Sequence, residues 1–464
     1  MRNIFENPVE LIFKSKKFEQ KKAIIQPFTS VLKFGFDSIS FGELKNEVLE
    51  YSIYLKKEYN ISKGTKILLM VPFSIEMYIS VIAIFLLGGC VVLIEPWIGR
   101  NLFKKVLGSI DAKFVISGSR TKILLKLFRY VEKDKIFIRI PKRNRTCPTT
   151  GEKFVQVTEH DTAVITFSTG SSGTPKPIRR SYGDLMYQMK RLSEHIREEE
   201  SIDFISFPNL VLYNLSRYNT TIIPERSFKG STPISNEILR TCIAREKLSR
   251  LFVSVSHLTT INDKDIFKRI NSIYTGGSII KASFIREYDL AEKIYILYGS
   301  TEIEPIATIN GVDFLSIKER GIPVGQIDDS LEMKIDPIEK NIGEVLIKRK
   351  YETISTDQWL ETGDIGYLNK DNVLILLGRK IDVFFFKDRY IYPYEIQNIM
   401  DREGIPGEII PYVKNDTLLI IIEGKENEIM SRKVIKALEK IKISPDKIIF
   451  LKEIPRDPRH RAKI

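Results

Sequence analysis

The run Phe167-Ser168-Thr169-Gly170-Ser171-Ser172-Gly173-Thr174-Pro175-Lys176 places two glycines, five hydroxyl side chains and a lysine within ten residues. Gly170 and Gly173 let the backbone fold back and turn its N–H groups toward phosphate oxygens. The hydroxyls of Ser168, Thr169, Ser171, Ser172 and Thr174 add donors, and Lys176 adds a positive charge. The chemistry this suggests is the cradling of a polyphosphate. It is not a Walker A loop, because two residues separate Gly173 from Lys176 and no Ser or Thr follows the lysine. A flexible linker of small polar residues has a similar composition. A linker that ends in Pro-Lys between a strand and a helix is a strained version of that alternative.

Such a loop needs rigid neighbours. Residues 163–167 read as a strand before it. After it, Ser181 and Asp184 form a capping-box pattern ahead of the apolar stripe Leu185, Met189, Leu192, Ile196. Further short apolar runs at 67–70, 91–94, 114–116 and 294–297, with amphipathic stretches such as 41–58 between them, predict an α/β fold with substantial parallel sheet over about 380 residues. The uncharged run 77–94 is near the length of a membrane span. Gly88 and Gly89 split it, however, and a buried helix followed by a buried strand accounts for the pattern. A boundary is expected near Gly378-Arg379-Lys380, dividing residues 1–378 from a small α+β unit, 379–464. That unit reads as a strand at 383–386, a helix opening near Tyr394, a strand at 418–422 and a helix at 432–441.

A chain of 464 residues with 43% hydrophobic and 28% charged residues is globular and long enough for two or three domains. Its net charge of +13, from 72 basic and 59 acidic residues, could serve nucleic acid or an anionic membrane surface. Acids are interleaved with the basic residues and no basic run forms a tail, so neither partner is expected from charge. Cys90, Cys147 and Cys242 form no close pair, and the four histidines lack metal-ligand spacing. Residues 1–10 lack the apolar stretch of a signal peptide. A reduced, cytoplasmic compartment fits.

Taken with other segments in the same order, the loop resembles the phosphate-binding signature of the adenylate-forming superfamily, which includes acyl-CoA synthetases, peptide-synthetase adenylation domains and luciferases. Thr275-Gly276-Gly277-Ser278 and Tyr298-Gly299-Ser300-Thr301-Glu302 resemble its adenine-binding segments. Thr362-Gly363-Asp364 followed by Gly378-Arg379 resembles its ribose-binding pair, and Lys463 falls where the family has a C-terminal catalytic lysine. The resemblance implies a large N-terminal AMP-binding domain, a mobile C-terminal lid, ATP and Mg²⁺ as cofactors, and a small carboxylic acid as substrate. Asp364 would accept from two ribose hydroxyls while Arg379 reaches the same sugar. Glu302 would hold Mg²⁺, with Thr301 as a hydroxyl donor. Lys176, Mg²⁺ and Lys463 would supply positive charge as a carboxylate attacks the α-phosphorus.

Within the family, Leu93-Ile94-Glu95-Pro96, Gly99-Arg100-Asn101-Leu102, the segment Phe207-Pro208-Asn209-Leu210-Val211 and the ending Asp457-Pro458-Arg459-His460-Arg461-Ala462-Lys463-Ile464 look most like the β-lactone synthetase branch of bacterial olefin biosynthesis. That likeness implies a fatty or β-hydroxy fatty acid whose own hydroxyl displaces AMP, and a thiolase-like or carrier-protein partner. Many acyl-CoA synthetases place histidine where Val211 stands. Thioester-forming members carry Asp or Lys at the hinge position, here Ile381, and a glycine beside the incoming thiol, here Asp388. Pro177 also replaces the glycine usual after the loop lysine. CoA as the acceptor is the alternative, and a non-catalytic binding protein of the same fold is a third reading. Phe204, Phe207, Leu210, Tyr213 and Tyr274 could line an apolar acyl pocket or belong to the core.

Overall fold

The computed structural model describes residues 5–30, 33–94, 99–128, 130–131, 134–143, 154–168, 176–225, 234–300, 303, 305–350 and 359–454. The chain divides into two compact units, residues 1–232 with 237–252, and residues 233–236 with 253–464.

In the first unit, the predicted apolar runs become strands because each is flanked by turns and buried on both faces. Six strands line up as Ile136–Arg139, Phe114–Ser117, Lys66–Met70, Cys90–Val92, Thr162–Ser168 and Lys176–Ser181. All neighbours are parallel except the last pair. The doubtful stretch 77–94 resolves into the helix Ile75–Leu86, the turn at Gly88 and Gly89, and the strand Cys90–Val92. Every residue of that helix except Glu76 is buried, and Ser74 caps its first turn. Among the described residues, no helix is long and apolar enough to cross a membrane.

One expectation is corrected here. The loop does not lead straight into a helix: the strand Lys176–Ser181 intervenes, antiparallel to Thr162–Ser168, and only then does the helix Tyr182–His195 begin. The sheet edge allows this, because Pro177 has no N–H to donate and is tolerated on an outer strand. The predicted capping box is present, with the Ser181 hydroxyl accepting from the Asp184 amide and the Asp184 carboxylate accepting from the Ser181 amide.

A second sheet of this unit runs Lys33–Ser40, Lys22–Ser30, Thr220–Ile222, Ile202–Ile205 and Arg250–Ser254. Arg250 and Asp203 face each other in its register, both almost fully buried. Arg250 donates from Nε and Nη2 to the two Asp203 oxygens at 2.8 and 2.7 Å, and from Nη1 to the Arg197 carbonyl at 2.9 Å.

In the second unit, Ser272–Gly276 and Ile294–Tyr298 pair in parallel. Beyond them the predicted parallel alternation stops. Ala307–Asn310, Ile322–Ile327, Leu374–Arg379, Leu360–Leu368, Ile342–Arg349 and Leu331–Glu339 follow as antiparallel neighbours. Connections as short as the turn between Glu339 and Ile342 cannot hold the crossover that parallel strands need. The C-terminal part matches its expected elements: Phe384–Phe386, the helix Pro393–Arg402, the strand Thr417–Glu423 and the helix Glu428–Lys440. Ile396, Met400, Ile420, Ile422, Val434 and Leu438 share a core there.

Replacing Asp203 with alanine would remove both short carboxylate bonds of the buried Arg250, leaving Glu199 at 3.5 Å as its nearest acid. It is expected to lower the unfolding free energy by about 3–5 kcal/mol, measured as an earlier urea transition with an unchanged slope.

Candidate active site

The parallel strands Ser272–Gly276 and Ile294–Tyr298 end side by side, with Gly276 in register with Leu297. A side chain on Gly276 would place its Cβ 2.4 Å from the Leu297 carbonyl oxygen, so the strands can close only on glycine. Gly277 then turns the chain with φ +81°, ahead of half-buried Ser278. Carboxyl ends of parallel strands are where open α/β sheets bind ligands. Tyr298 is the last residue of its strand, followed by exposed Gly299. Just before Gly276, the Thr275 hydroxyl is buried without a hydrogen-bond partner, a feature not legible from residue type.

Asp364 and Arg379 sit opposite each other on the paired strands Leu360–Leu368 and Leu374–Arg379. Arg379 donates from Nη1 to Asp364 Oδ1 at 2.8 Å and to the Thr362 carbonyl at 3.3 Å. The other carboxylate oxygen, Oδ2, accepts from the Tyr298 hydroxyl at 2.8 Å. The strand bulges here and is held by Thr362, whose hydroxyl donates to the Val345 carbonyl and accepts from the Asp364 amide. Gly363 supplies the left-handed conformation between them, φ +71°.

The electrostatics follow from burial. Burial and the neighbouring Asp364 carboxylate push the Tyr298 hydroxyl well above its ordinary value, which keeps it a neutral donor. Burial pulls Arg379 down, but attraction and hydrogen bonding to Asp364 outweigh it and leave the guanidinium raised. Burial also raises Tyr394, beside the same carboxylate, and Asp382, against the opposing pull of Arg379. Among the described residues each Asp364 oxygen has one side-chain donor and retains a lone pair, so the carboxylate can still accept from a ligand hydroxyl. That donor set fits a sugar with vicinal hydroxyls.

The structure thus brings together three of the sequence-derived residues, Tyr298, Asp364 and Arg379, and sets Gly276, Gly277 and Ser278 at the end of the adjoining strand. The hydroxyl link from Tyr298 to Asp364 spans 66 positions and left no sequence signal. In the other unit, Ser168 and Lys176 face each other in register at the ends of their strands, with Lys176 exposed. Thr169, Gly170, Ser171, Ser172, Gly173 and Thr174 lie outside the described residues, as do Thr301, Glu302 and Lys463. Among the described residues, no cluster of His, Cys, Asp or Glu could hold a metal ion. Of the candidate pocket residues, Phe204, Leu210 and Tyr213 are buried, and Tyr274 stacks on Tyr295 at 5.1 Å. Tyr213 borders a recess shared with charged residues including Lys17, Glu199 and Arg217. Val211 is fully buried in its helix.

Compared with known proteins, residues 14–352 match the family of AMP-binding enzymes. The 2-succinylbenzoate–CoA ligase of Oceanobacillus iheyensis is 23% identical over 482 residues, spanning 95% of this chain and 96% of its own. Among solved structures, the anthranilate CoA ligase AuaEII in complex with anthranoyl-AMP superposes with a TM-score of 0.82 at 18% identity, over 98% of this chain and 95% of its own. The amide bond synthetase McbA from Marinactinospora thermotolerans gives 0.79 at 16% identity, over 98% and 97%. At such identities the likeness establishes the fold: an adenylate-forming α/β architecture with a large sheet domain and a small C-terminal domain.

The neutral tyrosine donor is directly testable. In ¹³C NMR of ring-labelled tyrosine, assigned with Tyr298→Phe, the Tyr298 signal is expected to stay neutral beyond pH ~10. Asp364→Asn removes one of the forces raising its pKa and should move the midpoint downward.

Proposed function

Because the chain belongs to the AMP-binding enzyme family and is an ATP-dependent, acyl-adenylate-forming ligase, we propose that it activates a carboxylic acid of the fatty or hydroxy-fatty class. A carboxylate oxygen bonds to the α-phosphorus of ATP while the bond to the bridging β-phosphate oxygen breaks, and pyrophosphate leaves with the electron pair. The observation that carries this reading is the Tyr298–Asp364–Arg379 cluster, a donor set suited to the ribose of the nucleotide.

The roles of the other residues belong to the same proposal. Gly276, Gly277, Ser278, Tyr298 and Gly299 border the adenine. The loop from Ser168 to Lys176 cradles the outgoing phosphates. Lys463 reaches the reacting carboxylate from a C-terminal lid, residues 379–464, that turns about Lys380–Asp382. Exposed Ile381 and the short helical turn there support a hinge at that point. By the family resemblance Glu302 would hold Mg²⁺, which supplies charge neutralisation on the phosphates when bound.

For the second step, we favour closure by the substrate's own β-hydroxyl. Its oxygen bonds to the acyl carbon, AMP leaves, and the hydroxyl proton is lost, giving a four-membered lactone. Asp388 supports this. It occupies a left-handed turn, φ +65°, of the kind glycine normally fills, and by the family resemblance it carries a carboxylate at the position where thioester-forming members have a glycine beside the thiol. Transfer to CoA is the second reading, favoured by full-length similarity to a CoA ligase. A thiolase-like or carrier-protein partner and a cytoplasmic setting fit the first. Buried Cys90 and Cys242, their thiols pushed up to about 12 by burial, are suited to neither role as nucleophile.

Purified protein with ATP, Mg²⁺ and 3-hydroxy fatty acids should release pyrophosphate in an acid-dependent manner, with a lactone product that needs no CoA. Strictly CoA-dependent AMP release would instead establish thioester formation, and no acid-dependent pyrophosphate release across a broad panel would sink both. Arg379→Gln and Lys176→Ala are each expected to cut adenylation about a hundredfold. Tyr298→Phe should cost about tenfold, read mainly in KM for ATP. If CoA is the acceptor, Asp388→Gly should raise kcat/KM for CoA while leaving pyrophosphate release unchanged.

A further inference from the structure

The basic surplus is not spread evenly. Residues 100–143 hold thirteen Lys and Arg against three acids, Asp111, Glu132 and Asp134, a local excess of +10 within the chain's +13. This corrects the reading of the charge as interleaved throughout. Under a tenth of the sequence carries most of the net charge.

The same region carries a continuous apolar ridge. On the nine-residue helix Ser119–Leu127 and its end, Ile123, Leu124, Leu127 and Phe128 are 62%, 53%, 69% and 54% exposed, while only Leu125 turns inward. Spacings of one, four and five positions gather the four onto one side of the helix. Lys122 and Lys126 lie on the other flank, their ammonium groups 5.5 and 5.1 Å from the Phe137 ring. On the ridge side, Arg100 joins Leu127, Phe128 and Tyr130 around a shallow recess of about 470 Å³. Arg100, Lys104, Lys105 and Arg120 are exposed, and among the described residues none is paired with a carboxylate.

We propose that this face docks the enzyme on the surface of an anionic lipid bilayer. Large exposed aliphatic groups are unfavourable in water and gain by entering the acyl–headgroup boundary, while the surrounding cations meet lipid phosphates. Nucleic acid would be served by the cations alone and leaves the aliphatic ridge unexplained. An acidic protein partner would need a complementary groove for a ridge that projects outward. The arrangement, exposed apolar residues flanked by exposed cations, is that of a helix lying in the interfacial plane. The inference is independent of which acid the enzyme activates.

Flotation of the full-length protein with phosphatidylcholine vesicles, with and without phosphatidylglycerol, tests it. Binding is expected on the anionic vesicles at low salt, weakening as salt screens the charges, and not on the neutral ones. Two variants separate the contributions: Leu124→Ser with Leu127→Ser and Phe128→Ser, and Arg100→Gln with Lys104→Gln and Lys105→Gln. Each should lower partitioning about tenfold or more while retaining the parental melting curve. The proposal is overturned if anionic vesicles are not bound, if neutral vesicles bind equally, or if both variants bind as the parent does. It is also overturned if the substitutions abolish DNA binding or self-association in a protein that ignores vesicles.

Discussion

A carboxylate buried in a sheet must find a donor for each oxygen, and Asp364 meets that requirement with groups from two different strands. Oδ1 is held by Arg379 across the antiparallel pair, and Oδ2 by Tyr298 from the end of the parallel pair. Losing either donor would leave an ionised oxygen partly desolvated, which is costly. The cluster therefore fixes the end of the Ile294–Tyr298 strand against the bulge at Thr362-Gly363-Asp364. Gly276 tightens the same region, since its strand can approach Leu297 only without a side chain. The polar floor of the candidate nucleotide site is thus also what keeps the parallel and antiparallel parts of this unit in register.

Much of this was legible because burial on both faces leaves a plain mark. The runs at 67–70, 114–116, 163–167 and 294–297 are strands within a residue or two of their predicted limits. The Asp364–Arg379 partnership was legible too: fifteen positions joined by one turn place the two directly opposite on an antiparallel pair. The Lys176–Ser181 strand was not, because Lys-Pro-Ile-Arg-Arg-Ser has no alternation of apolar and polar residues, and its strand character comes from pairing alone. The Tyr298 hydroxyl bond was equally invisible, as it depends on tertiary register rather than on any local pattern. Glu302 and Lys463 rest on resemblance, without geometry to add to it.

The charge distribution is obscured in the sequence for a different reason. Acids and bases alternate through most of the chain, so a search for long basic runs finds none. The excess over 100–143 arises from a scarcity of acids, three in 44 residues, rather than from consecutive lysines. Only the fold shows what that scarcity accomplishes. Among the described residues it leaves exposed Arg100, Lys104, Lys105 and Arg120 without a paired carboxylate, in the region that carries four exposed apolar side chains.

The position of that face within its sheet makes membrane docking compatible with catalysis. Phe137, beneath Lys122 and Lys126, lies on one edge strand of the six-stranded sheet. Lys176 begins the opposite edge strand. Five inter-strand spacings of about 4.8 Å separate those edges, roughly 24 Å, well beyond the Debye length of about 8 Å at physiological salt. Lipid phosphates at one edge would neither cover Lys176 at the other nor compete for its charge. An amphiphilic acid partitions into a bilayer by the same burial of apolar surface that would seat Leu124 and Leu127 there. Docking through this edge would raise the local concentration of such an acid while leaving Lys176, on the opposite edge strand, clear of the lipid.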